Sequence, residues 1–359
     1  DPPTKNSDEE EKYLLASAGA DGIVRLWSAT CDGGNVEEKL NWHCAGTLDH
    51  YMLENDGDDN NGGGVSKEEE ERPQIYALQF VQSKATPNMN ILLTSANDCI
   101  YLWNIVEDGS PQSPNNSIKR RKFLPHLSMR FSHHLDDGKY VNQFGGSRNP
   151  ENELYVFDAS YSESNDLLGV ALSDGTCRVL SLASGNNASF CQDQCVLSLP
   201  PGYFGTRGGH LTALSWDKSG TRLATCIASG RVVLWLLQVV NRDGREALHP
   251  SCISVLEGGH DVGRPLFGAK YCGGKNEELL MTWGVDGKVC LWDSYSVGEV
   301  LSPLCTLISH SNYPIYALDI TNEGSNSKSG AGEMQKLHIA VGGGADGGFL
   351  GVPAYLYDI

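Results

Sequence analysis

The feature that most restricts this chain is a segment that keeps returning along it. An apolar run, a short polar turn and a second apolar run ending in Leu-Trp recur as LLASAGADGIVRLW (14–27), ILLTSANDCIYLW (91–103), RLATCIASGRVVLW (222–235) and ELLMTWGVDGKVCLW (278–292). Two weaker copies are LLGVALSDGTCRVL (167–180), with Leu180 where the others have Trp, and HIAVGGGADGGFLGVPAYLY (338–357), with Tyr357 followed by Asp358. Each copy reads as two short strands rich in aliphatic and β-branched residues around a tight turn that is often Asp-Gly, which is the pattern of a hairpin. Self-similarity at such a spacing marks a repeat architecture, in which one unit buries its apolar face only against the next.

Five copies are preceded by another apolar stretch: IYALQFV at 75, LYVFDAS at 154, LTALSWD at 211, LFGAKYC at 266 and IYALDIT at 315. Before these lies a further strand-like run that ends near a histidine: GTLDH (His50), MRFSHH (His133, His134), SVLEGGH (His260) and CTLISH (His310), with VLSLPP followed at a distance by His210. Four strands per unit, repeated radially, make the blade of a β-propeller. The fold class predicted is therefore all-β, a propeller of four-stranded antiparallel blades with six visible repeats. With 359 residues and 40% hydrophobic content the chain is long enough to hold this as one domain spanning 1–359.

The repeats resemble the WD-repeat family over nearly the whole chain. The marks are Gly-His before the inner strand (Gly209-His210, Gly259-His260), the Asp-Gly turn, and Trp292-Asp293 ending a third strand. The resemblance implies a hydrogen-bonded chain of His, Ser or Thr, Asp and Trp within each blade. The fifth repeat holds all four, as His260, Thr282, Asp286 and Trp292. The fourth holds His210, Thr225 and Trp235, with Ser229 in place of the Asp; the first holds Ser17, Asp21 and Trp27; the third lacks most of the set. Such a chain has a structural reason, since a buried imidazole or carboxylate left unpaired costs several kcal/mol, roughly. The His–Asp pair thus mimics a catalytic dyad while serving the fold.

Residues 1 to 12 are too polar for strands, and the chain stops in a third strand. The expectation is a trimmed piece whose missing N-terminal part supplies an outer strand, an inner strand and a seventh blade. Residues 54 to 71, with eight acids, one Lys and a Gly triplet, are expected to form a disordered acidic loop. Residues 107–150 read as a long insert between blades. It contains Lys119-Arg120-Arg121-Lys122, which resembles a nuclear-import signal as much as a solvated charge cluster, after Ser110-Pro111 and Ser113-Pro114.

No stretch is long and apolar enough to span a membrane, and the first residues are unlike a signal peptide, so a cytoplasmic or nuclear protein is expected. The net charge of −18 speaks against nucleic-acid binding, which needs a basic footprint. The eleven cysteines are scattered, with Cys177, Cys226, Cys272, Cys290 and Cys305 inside apolar runs, and Cys191 and Cys195 lack partners at metal-ligand spacing, so neither a metal site nor a cofactor is expected. No nucleophile motif, zinc motif or phosphate loop is present, so a non-enzymatic scaffold within a larger complex is the leading reading, with a propeller enzyme far behind. A ubiquitin-ligase substrate receptor is the alternative, weakened because Trp27, Trp103, Trp235 and Trp292 are each followed by sequences without the Trp-Asp-x-Arg pattern that the resemblance associates with such receptors. Function in a propeller resides on its loops. The face bearing the histidine loops offers Tyr203, Phe204, Arg207, Arg264 and Tyr313, the residue types that dominate interfaces, and the acidic charge suits a basic protein or peptide.

Overall fold

In the computed structural model the residues described are 11–31, 40–50, 73–82, 84, 89–108, 120–131, 154–182, 192–199, 209–242, 245–272, 278–296, 298, 300–308, 313–322, 337–343 and 355–358. Among them there is no helix. The strands form six sheets, five of them purely antiparallel. The first sheet contains β1 (Glu11–Ser17), β2 (Ile23–Cys31) and β3 (Leu40–Asp49); the second contains β4 (Ile75–Val81), β5 (Ile91–Ala96), β6 (Cys99–Glu107) and β7 (Arg121–Arg130). The third holds β8 (Val156–Ser162), β9 (Leu167–Leu172), β10 (Thr176–Ser181) and β11 (Gln192–Ser198), and the fourth β12 (Leu211–Trp216), β13 (Arg222–Ile227), β14 (Arg231–Arg242) and β15 (Arg245–Leu256). The fifth is β16 (Leu266–Tyr271), β17 (Leu279–Gly284), β18 (Lys288–Asp293) and β20 (Cys305–Ile308), while β19 (Val300–Leu301) runs back to pair in parallel with β15. The last sheet is β21 (Ile315–Asn322), β22 (Leu337–Gly343) and β23 (Tyr355–Asp358).

This is a β-propeller of antiparallel up-and-down blades, four-stranded, β19 aside, in the second to fifth sheets and three-stranded, among the described residues, in the first and last. The chain divides into two compact units. One comprises residues 1–82 and 86–156 and holds the first two sheets; the other comprises 83–85 and 157–359 and holds the remaining four. Within each, neighbouring sheets bury apolar faces against one another. Val24 and Leu26 meet Leu92 and Trp103 in the first unit. In the second, Cys177, Val179 and Leu197 meet Leu223 and Trp235, and Met281 and Trp283 meet Ile315 and Val341.

The repeated turn explains its own sequence. Gly22, Gly175, Gly230 and Gly287 sit at equivalent places between second and third strands with φ of 69°, 80°, 86° and 71°, a region glycine occupies without a Cβ clash. The second sheet turns one residue sooner, with Asn97 at φ 50°. Two expected boundaries shift. Strand β1 begins at Glu11, inside the stretch read as too polar, because pairing with β2 outweighs local polarity. Residues 121–130, inside the span read as an insert, are the outer strand β7 and pair with β6 from Glu107 to Cys99. Arg121 and Lys122 of the basic quartet therefore belong to a strand, with Lys122 3.8 Å from Asp108. Residues 54 to 71 lie outside the described residues.

Candidate functional site

In the fifth sheet, Trp292 Nε1 donates to Thr282 Oγ1 at 2.8 Å, and Thr282 Oγ1 lies 2.8 Å from His260 Nε2. His260 Nδ1 is 3.0 Å from Asp286 Oδ2. A neutral imidazole carrying its proton on Nδ1 satisfies the entire chain. Asp286 also accepts the backbone N–H groups of Asp261 and Lys288. Burial pushes its carboxyl pKa up, but the hydrogen bond from His260 and those from the two amides outweigh that and hold it below the ordinary value. The pair thus ties the loop after the outer strand to the hairpin turn, and both come to one end of the sheet.

The other sheets keep parts of this chain. Trp27 Nε1 donates to Ser17 Oγ at 2.9 Å, while Asp21 turns outward to Arg25 at 2.8 Å. Trp235 Nε1 donates to Thr225 Oγ1 at 2.9 Å, but the His210 ring lies against Phe157 with centroids 5.6 Å apart, and Ser229 Oγ is buried without a partner among the described residues. The second sheet carries a set that the sequence reading missed: Trp103 Nε1 donates to Thr94 Oγ1 at 3.0 Å, which lies 3.2 Å from His50 Nε2. The buried Asp98 at its turn pairs with Arg130 Nε at 3.0 Å and accepts from the Cys99 thiol at 3.3 Å. Burial pushes that thiol up to about 12 and the His50 imidazole down to about 4, so both are neutral at pH 7. The missed signal was there, since Asp98 follows Thr94 by four residues as Asp286 follows Thr282; the shorter turn puts Trp at nine residues rather than ten and hides the match.

Of the five residues expected to meet a partner, Tyr203, Phe204 and Arg207 lie outside the described residues. Arg264 is exposed just before β16, and Tyr313, 41% exposed, lies just before β21. The structure adds a feature with no counterpart in that reading. Inner strands β4, β12, β16 and β21 each slip register against the second strand at their second residue, which is Tyr76, Thr212, Phe267 or Tyr316. A bulge leaves its residue outside the ladder and re-aims its side chain. Three of the four are exposed aromatics, and Phe267 and Tyr316 stack with centroids 5.1 Å apart. Both follow closely on Arg264 and Tyr313 at the end of the sheets where His260 and Asp286 meet.

No family model matches the chain, and no curated protein matches it either. Solved structures are similar to it. One chain of a crystal structure of the mitotic checkpoint complex aligns at 18% identity and TM-score 0.44, over 79% of this chain and 62% of that one, so the present chain spans less than two thirds of its length. Saccharomyces cerevisiae Sqt1 aligns at 12% identity and TM-score 0.48, over 96% of this chain and 81% of the other. At these values neither likeness assigns a residue, a partner or an activity to this chain.

Proposed function

We propose that this protein is a non-catalytic interaction scaffold that holds a basic peptide or protein on the end of its sheets where the histidine loops and hairpin turns meet. The observation that carries this reading is the stacked, exposed Phe267–Tyr316 pair beside Arg264 and Tyr313. Two aromatic rings facing water are costly to solvate and are typical of interface anchors. The His260–Asp286 pair supports the scaffold reading from the other side, because its nitrogens and carboxylate are engaged within the sheet and none is turned to a substrate. A net charge of −18 favours encounter with a positively charged partner.

The test is affinity purification of the full-length protein beside a Phe267→Ala/Tyr316→Ala double variant, with identification of co-purifying chains. A basic chain that is retained by the parent, released by salt and lost from the double variant is the expected result. Retention of the same partners by both forms would reject this surface and leave the substrate-receptor reading to be judged by whether a cullin-type ligase co-purifies.

A further inference from the structure

The fourth sheet has an overhang. Strands β14 and β15 pair with each other over their full length, from Val232 opposite Leu256 to Arg242 opposite Arg245. Strand β13 accompanies β14 only as far as Leu236, and a last backbone bond runs from Leu237 N to Thr221 O at 2.8 Å. Beyond this, β14 continues with Gln238, Val239, Val240 and Asn241 paired on the β15 side alone among the described residues. Leu237 and Leu248 anchor the base of the ribbon in the apolar cluster shared with the third sheet. Val239 is 66% exposed.

The direction of the free backbone groups follows from the last bond. Since Leu237 turns its N–H toward β13, the alternation of a strand turns Val239 and Asn241 to that same open side, and Gln238 and Val240 toward β15. An open edge is commonly blunted by proline, lysine or a bulge. Here the sequence is Gln-Val-Val-Asn, and the pairing with β15 is regular throughout it. The shorter overhang of the second sheet ends in the charged Glu107, with the Lys122–Asp108 pair beside it. The opposite edge of the fourth sheet has already accepted an added strand, β19, at Val255 and Leu256.

We infer that the open edge of β14 at Val239–Asn241 is a self-complementary docking strand for a second copy of this chain. With outward groups on residues 239 and 241, one antiparallel register satisfies both chains: Val239 of each exchanges two backbone hydrogen bonds with Asn241 of the other, four in all, and Val240 lies on the two-fold axis opposite its own copy. A pair of such short strands buries far less than the roughly 1,200 Å² of a stable interface, so the dimer is weak and forms as concentration rises. It uses no residue of the surface proposed for the basic partner.

The register dictates the test. Val240→Cys places two thiols at a non-hydrogen-bonded pair, about 5 Å apart between Cβ atoms, and oxidation should link two chains in a way the parent chain does not show. Gln238→Cys should not link, because its copies lie on opposite sides of the axis. Val239→Pro removes an outward N–H that the β14–β15 ladder does not use, and should weaken dimerisation in sedimentation equilibrium about tenfold or more while leaving the thermal midpoint and circular dichroism in place. A monomer at every concentration, a dimer indifferent to Val239→Pro, or equal linking at 238 and 240 would each overturn the inference.

Discussion

The polar atoms of the His260–Asp286 pair are committed within the fifth sheet, so removing one partner exposes the cost of leaving the others buried. Asp286→Ala leaves His260 Nδ1 and the amides of Asp261 and Lys288 without their acceptor. The expected loss is about 1 to 3 kcal/mol of stability, read as a lower midpoint in denaturant. Asp286→Asn, which keeps an acceptor, should cost less. An unchanged midpoint for the alanine variant would mean that the four groups are not linked in solution. The third sheet shows the opposite solution: where Trp has become Leu180, the residue ten positions earlier is Val170, with no hydroxyl to satisfy. Both are fully buried, and replacing both members of a hydrogen-bonded pair by apolar groups is nearly neutral where replacing one is not.

Between strands, that contrast becomes an experiment in the fourth sheet, where Thr225 and Trp235 form the pair without His210. Thr225→Val should strand the indole N–H, Trp235→Leu should empty a large buried volume, and together they should cost less than the sum. A double-mutant cycle should return a coupling of about 1 kcal/mol, and additive losses would deny the bond any energetic role. Hairpins were legible in the sequence because alternating apolar runs and Asp-Gly turns are local signals. The network of the second sheet was not, since a turn shorter by one residue shifts Trp103 out of the ten-residue spacing shared by Trp27, Trp235 and Trp292. Nor were the bulges at Phe267 and Tyr316, which depend on how an inner strand meets its neighbour. The third strands show the same limit. Their pairing with the outer strand slips by one residue at Trp27, Trp103 and Trp235, and equally at Leu180, where no indole is present. The β14–β15 overhang is longer than its blade for reasons that only pairing partners reveal.

For the molecule as a whole, the two compact units should respond to acid in opposite directions. In the first, burial lowers the His50 imidazole to about 4, and burial also lowers His126 on β7. The unfolded chain binds these protons first, so stability present above pH 6.5 is lost as pH falls toward 4, for His50 by up to about 3 kcal/mol. In the second unit, burial raises the Asp158 carboxyl to about 7, even though the amides of Leu214 and Ala159 donate to its oxygens at 2.7 and 2.8 Å and pull it the other way. Here the folded chain binds the proton first, so Asp158 adds stability as pH falls through 7 and withdraws it as pH rises. Asp286 works the other way only below its ordinary value near 3.8, outside that window. Native-state hydrogen exchange between pH 7 and 4.5, corrected for intrinsic rates, should therefore show protection falling in β5 and β6 while it holds or grows in β9 and β12. Asp158→Asn should remove the gain in the second unit without touching the first, and His50→Gln should flatten the loss in the first. A uniform loss of protection across both units, unaltered by Asp158→Asn, would show that the carboxyl titrates in the ordinary range and that the strap between β8 and β12 is open to water.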